Sequence, residues 1–110
     1  MSKRVRVHLL DNDEVRVETV GPFNDVILYN WFKEKYESES GSVQLSISEA
    51  IDVASELYPL LAEIQIPESI DHINSVSALN SLRSISSVCQ ELLRFKSNNR
   101  RFSGFEIRWG

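Results

Sequence analysis

The spacing of the hydrophobic residues changes twice along this chain of 110 residues. Near both termini apolar residues alternate with polar ones, Val5, Val7 and Leu9 at the start and Phe105, Ile107 and Trp109 at the end. Alternation with a period of two is typical of strands that bury one face. Between the termini apolar residues recur at spacings of three and four, which indicates amphipathic helices. The chain is therefore restricted to a fold that mixes helices with a sheet.

The strand pattern predicts an N-terminal hairpin and a C-terminal strand. Asp11-Asn12-Asp13 separates the two alternating segments of the hairpin, and these residue types are favoured in turns. Gly21-Pro22 is expected to end the second strand. Because a two-stranded ribbon alone is marginally stable, we place the C-terminal strand beside the hairpin, with the choice of edge left open. The prediction is one α+β domain over residues 1–110, a small antiparallel sheet packed against about three helices.

The first helix is predicted at 25–38, with Asn24 as its N-cap. Its apolar face is broader than a surface helix needs, so part of that face must find additional cover or stay exposed. Trp31, together with Tyr29 at the margin of the face, is therefore a candidate contact for a partner. The serine-rich segment 38–42 is expected to end the helix and form a loop.

The second helix is predicted at 47–65, because Ser46-Ile47-Ser48-Glu49 matches a capping box. Pro59 lacks a backbone donor, so we expect a kink or a break near Glu56. Four carboxylates fall on one side of this helix, within roughly 60° of one another at 100° per residue: Glu49, Asp52, Glu56 and Glu63. This acidic row is the first candidate for a partner-binding surface.

The third helix is predicted at 75–97, with one apolar side that contains Cys89 and is expected to face the core. The other side is nearly uncharged and is expected to face outward: Ser77, Ser81, Ser84, Val88 and Phe95. Small side chains allow backbones to approach closely, so this outward face is a candidate for self-association as a homodimer.

Composition excludes several classes of protein. No apolar run approaches the ~18 residues that a membrane span requires, and the basic start lacks the apolar block of a signal peptide. We therefore expect a cytoplasmic protein with no membrane partner. A single cysteine excludes an intramolecular disulfide and a multi-cysteine metal site, and the position of Cys89 favours a core thiol over a nucleophile.

Motifs for catalysis are not found. The glycines are scattered and form no phosphate loop, and no serine lies in a nucleophile elbow. The segment from Asp11 to Glu14 resembles a calcium loop only in composition. His8 is expected to point to solvent on the same side of its strand as Arg4 and Arg6. We expect no enzyme, catalytic residue, metal or cofactor.

Charge is distributed unevenly and gives the leading functional hypothesis. Residues 36–82 contain no Lys or Arg and eight acidic residues, within a net charge of −4 for the whole chain. Acidic surfaces steer association with basic partners, and aromatic anchors supply short-range affinity. The sequence therefore favours a small regulator or inhibitor that binds a protein with a basic surface. Immunity proteins, antitoxins and phage inhibitors of defence systems have this size and charge, which is an analogy of class only.

Two other readings stay open at this point. One is the self-associating module described above. The other is a small enzyme or ligand binder whose site is assembled from scattered residues, for example His8 with acids that folding brings near. Basic and aromatic residues interleave at 94–102, but a pI near 5.1 argues against a nucleic-acid partner, and basic residues near a helix end favour its dipole.

Overall fold

The computed structural model describes residues 3–64, 72–95 and 102–110. The elements in chain order are β1 (Arg4–Asp11), β2 (Arg16–Asn24), α1 (Val26–Lys35), β3 (Gly41–Ser46), α2 (Ile47–Leu57), α3 (Leu60–Glu63), α4 (His72–Leu93) and β4 (Phe102–Trp109). The strands form one antiparallel sheet in the order β2-β1-β4-β3. The predicted α+β class, with an N-terminal hairpin and a C-terminal strand, is confirmed.

The hairpin is closed by the side chain of Asp11. Its Oδ1 accepts hydrogen bonds from the amides of Asp13 at 2.9 Å and Val15 at 3.0 Å, as expected for an aspartate at a turn. β4 pairs with β1 on the side away from β2, with Ile107 opposite Val7. The predicted placement of the C-terminal strand beside the hairpin is confirmed, and the structure decides the edge.

The prediction of a loop at 38–42 is wrong in part, because a strand, β3, begins within that segment. The chain enters the strand at Gly41, opposite Trp109 of β4, and leaves it at Ser46. Val43 and Leu45 alternate with polar residues, but the segment is too short for this period to stand out in the sequence. The sheet therefore has four strands, and β3 is one of its two edges.

The predicted end of the second strand, β2, is also wrong. The strand continues through Gly21-Pro22 to Asn24, although these residues were expected to end it. A proline is tolerated here because β2 is an edge strand and has hydrogen-bonding neighbours on one side only. A shift of register between Val5 and Val7 accommodates the irregularity.

The helices begin and end close to the predicted positions. Asp25, not Asn24, caps α1, and its Oδ1 accepts a hydrogen bond from the Leu28 amide at 2.9 Å. Helix α2 ends at Leu57, and Pro59 separates it from the single turn α3, which confirms the predicted break. Helix α4 begins at His72, before the predicted 75, and ends at Leu93 with a turn at Arg94 and Phe95, earlier than the predicted 97; residues 96 and 97 lie outside the described residues.

The core lies between the sheet and the helices. Val5, Val7 and Leu9 of β1 are fully buried, as are Phe105 and Ile107 of β4. Buried residues of α1, α2 and α4 pack onto them in one contiguous cluster. Because strand side chains alternate, the residues between these buried ones lie on the opposite face of the sheet.

Candidate partner-binding site

The capping box fixes the start of α2 and one end of the acidic row. Ser46 Oγ accepts a hydrogen bond from the Glu49 amide at 3.2 Å, and the Glu49 carboxylate accepts one from the Ser46 amide at 3.1 Å. The hydrogen bond from the Ser46 backbone, followed by the contact with its side chain, lowers the pKa of Glu49. Glu49 is therefore ionised at neutral pH while it orders the helix.

All four predicted carboxylates are exposed. Glu49, Asp52 and Glu56 lie on one face of α2, beside the buried Val53, and Glu63 lies on α3 beyond the break at Pro59. The row is therefore continuous over α2 and interrupted before Glu63. We call Glu49, Asp52 and Glu56 the acidic row of α2.

One cation touches this acidic row. Lys35 Nζ, at the end of α1, forms an ion pair with Glu56 Oε2 and lies 5.6 Å from the ring centroid of Trp31. Over residues 3–64, 72–95 and 102–110, Lys35 is the one side chain that forms an ion pair with any of the four carboxylates. Within the part of the chain that the structure describes, Glu49 and Asp52 therefore form no ion pair.

A shallow groove separates α2 from the edge of the sheet. Its volume is about 250 Å³, and it runs beside β3 and the end of α1. Its apolar lining comes from Val43, Leu45 and Val53, and the acidic row of α2 borders it. The sequence pattern did not reveal this groove because β3 was not recognised as a strand.

Tyr29 and Trp31, the two aromatic residues predicted to contact a partner, differ in exposure. Tyr29 is 8% exposed, and its hydroxyl donates a 2.5 Å hydrogen bond to the Glu39 carbonyl, so Tyr29 is a core residue and not a surface anchor. Trp31 is half-buried and packs edge-on against Phe32, with Lys35 over its ring. The predicted exposure is therefore wrong for Tyr29, whereas part of Trp31 is accessible.

The prediction that the candidate self-association face of the third helix points outward is wrong. Ser77 is exposed, but Ser81, Ser84, Val88 and Phe95 are buried. Helix α4 contacts both α1 and α2, so two sides of it are covered, and Leu79 near its start is 51% exposed. Ser81 faces inward because its Oγ donates a hydrogen bond to Asp25 Oδ2 at the start of α1.

His8 also departs from its predicted position. It is 6% exposed, and its Nδ1 lies 2.8 Å from Thr19 Oγ1 on β2. Glu106 lies directly opposite it on β4 and forms an ion pair with Arg16. Burial, and then the positive charge of Arg16, lowers the pKa of His8. Folding thus brings an acid close to His8, although His8 does not line the groove beside α2.

The far face of the sheet is basic. Arg6 and Arg108 lie directly opposite each other on β1 and β4, beside a cavity of about 440 Å³. Arg4 lies on the same side of β1 as Arg6. The sheet thus separates these arginines from the acidic row of α2.

Cys89 is 3% exposed and lies in the core as predicted. Within the described ranges, no three His, Cys, Asp or Glu side chains are grouped to hold a metal ion, and no helix has the length and apolar character to cross a membrane. Glu68 and Asp71 of the acidic segment, and residues 96–101 of the basic-aromatic stretch, lie outside the described residues.

Comparison of the chain with models of protein families, with curated proteins and with solved structures gives no match.

Proposed function

We propose that this chain is a small non-enzymatic regulator or inhibitor that binds a macromolecular partner through the acidic row of α2. The observation that carries the proposal is the exposure of Glu49, Asp52 and Glu56 on one helix face beside an apolar groove, where Lys35 is their one ion-pair partner among the described residues. The partner is a protein with a basic surface.

The separation of charge supports this proposal. Acidic residues line α2, whereas Arg4, Arg6 and Arg108 lie on the far face of the sheet. A molecule with oppositely charged faces is oriented by the field of a charged partner before contact, which raises the association rate at low salt. The acidic side would therefore meet a basic surface first.

Short-range affinity requires apolar contact in addition to charge. The groove offers Val43, Leu45 and Val53 beneath the carboxylates, and Trp31 is partly accessible on the neighbouring helix. Charged pairs at the rim set specificity and rate, while apolar residues at the centre supply most of the affinity. The exposed ion pair between Lys35 and Glu56 costs little to rearrange on binding.

The experiment compares two charge-reversal pairs. Asp52→Lys with Glu56→Lys changes the acidic row, and Asp13→Lys with Glu34→Lys makes the same change of net charge at exposed sites elsewhere. Glu49 is left unchanged because it caps α2. Each full-length protein is immobilised and used to capture proteins from the cells in which the chain occurs, and mass spectrometry quantifies what is retained.

We expect the captured amount of one protein to fall at least about tenfold when Asp52 and Glu56 are both changed to Lys. The same amount should change by less than about twofold with the control pair. Dissociation of this protein should also accelerate with ionic strength, because exposed charges are screened. Equal retention by both pairs of variants would contradict the proposal.

A further inference from the structure

The free edge of β3 lacks the features that usually block strand pairing. Over residues 3–64, 72–95 and 102–110, β3 has β4 on one side and no strand on the other. Its sequence, Gly-Ser-Val-Gln-Leu-Ser, contains no charged residue and no proline. Its six residues pair with β4 without a shift of register, from Gly41 to Ser46. An edge of this kind exposes a regular row of backbone donors and acceptors.

The other edge of the same sheet is protected. Strand β2 carries Arg16, Glu18 and Pro22, and its pairing with β1 contains two shifts of register. Charges, proline and bulges are the devices by which proteins prevent edge-to-edge association. The two edges therefore differ in their capacity to accept a strand, and β3 is the one that is open.

The groove beside β3 determines what kind of strand fits there. Side chains of an added strand alternate between the two faces of the sheet. Those on the helix side would enter the groove, over Val43 and Leu45 and towards the acidic row of α2. Those on the other face would lie beside Ser42 and Gln44, which are uncharged and exposed. Lysine or arginine at every second position matches this arrangement.

We propose that the partner contributes an extended, basic segment that adds to β3 as a fifth strand, with alternate Lys or Arg side chains directed at Glu49, Asp52 and Glu56. The backbone pairing would supply affinity, and the carboxylates would select the segment. This inference rests on the proposed function and specifies how the partner is held.

A second copy of this chain is a poorer occupant of the same edge. Pairing of β3 with β3 across a twofold axis would bring the acidic rows of two α2 helices towards each other. Like charges brought together in this way oppose association. The same carboxylates that disfavour self-pairing favour a basic strand.

The test begins with a displayed library of random ten-residue peptides selected against the full-length protein. We expect enriched peptides to lack proline and to carry Lys or Arg at alternate positions. The Asp52→Lys and Glu56→Lys pair should weaken their binding at least about tenfold, and the Asp13→Lys and Glu34→Lys pair by less than about twofold. Basic residues spaced three and four apart would indicate a helix and overturn strand addition.

The second stage tests the backbone pairing directly. An enriched peptide is synthesised with N-methyl groups on one alternate set of residues or on the other. An added edge strand directs only one set of its N–H groups at β3, so one set should weaken binding at least about tenfold and the other by less than about threefold. Hydrogen exchange should slow at those amides of β3 that point away from β4 when the unmodified peptide binds.

The outcomes separate the two proposals. Binding that depends on Asp52 and Glu56 but responds equally to both methylated sets would leave the proposed function in place and overturn strand addition. Binding that does not depend on Asp52 and Glu56 would overturn both. A selection that enriches no peptide would also count against strand addition.

Discussion

Ser81 of α4 donates a 2.5 Å hydrogen bond through its Oγ to Oδ2 of Asp25, the residue that caps α1. The other oxygen of the same carboxylate accepts the Leu28 amide at 2.9 Å. Both Asp25 and Ser81 are buried. One carboxylate thus caps the start of α1 and binds α1 to α4, and this link holds Ser81 towards the interior.

We expect Asp25→Ala to lower the free energy of unfolding by about 2 to 3 kcal/mol, because it removes a helix cap and leaves the Ser81 hydroxyl buried without this acceptor. Ser81→Ala should cost about 1 kcal/mol, since the cap on Leu28 is retained. Urea denaturation at neutral pH measures both values. A smaller loss for Asp25→Ala than for Ser81→Ala would show that the link does not act in this way.

The buried imidazole of His8 makes stability depend on pH. Burial, and then Arg16, lowers the pKa of His8 from its ordinary value of 6.5, while Glu106 opposes this and Arg108 and Arg6 add to it. As the pH falls below about 6.5, the unfolded chain binds this proton before the folded chain does. The contribution of His8 is thus intact above that pH and lost below it.

The test compares the free energy of unfolding at pH 7.5 and at pH 5.5, which lie about one unit either side of the ordinary pKa. We expect this free energy to fall less between the two pH values for His8→Gln than for the wild type. Thr19→Val is the matched control, because it removes the partner of Nδ1 without removing the titrating ring. It should lower stability at both pH values and retain the wild-type slope. If the free energy of unfolding fell as much for His8→Gln as for the wild type, His8 would not be the group that causes this pH dependence.

Cys89 should react with thiol reagents only when the chain opens. It is 3% exposed, and burial raises its pKa to about 11. At pH 8 we expect alkylation of the folded protein to be at least about 100-fold slower than in urea, because the reactive thiolate is scarce and shielded. Mass spectrometry of timed samples measures this ratio. Fast alkylation without denaturant would place the thiol outside the core.

Gly104 permits β3 and β4 to approach closely. A Cβ added at this position would overlap the carbonyl oxygen of Leu45 on β3, and that backbone atom cannot rotate away. We expect Gly104→Ala to lower the free energy of unfolding by about 2 kcal/mol or more. It should also speed hydrogen exchange at 41–46. Ser42→Ala, an exposed change on the neighbouring strand β3, should alter stability by less than about 0.5 kcal/mol.

The errors in the sequence-based prediction have a common cause. Strand β3 carries two inward apolar residues, Val43 and Leu45, and so short a pattern does not stand out from a loop. The outward side of the third helix was predicted from its lack of charge, yet Val88 is fully buried there. A helix that is covered on two sides has no single apolar stripe, and periodicity alone does not reveal the second neighbour.

The parts of the candidate site that were predicted depend on local chemistry. The capping box of Ser46 and Glu49, the break at Pro59 and the exposed face of α2 follow from hydrogen bonds and spacing within a few residues. The groove does not follow from local chemistry, because Val43 and Val53 line it together only when β3 joins the sheet beside α2.

By itself, the sequence determined the class of the fold, the hairpin, the start of α2 and the acidic row on its face, because each follows from the period or the capping of neighbouring residues. Tertiary structure alone decided that β4 lies between β1 and β3, that Ser81 meets Asp25 and that His8 is buried opposite Glu106. These contacts join residues far apart along the chain, and their geometry is set by the packing of whole elements on one another.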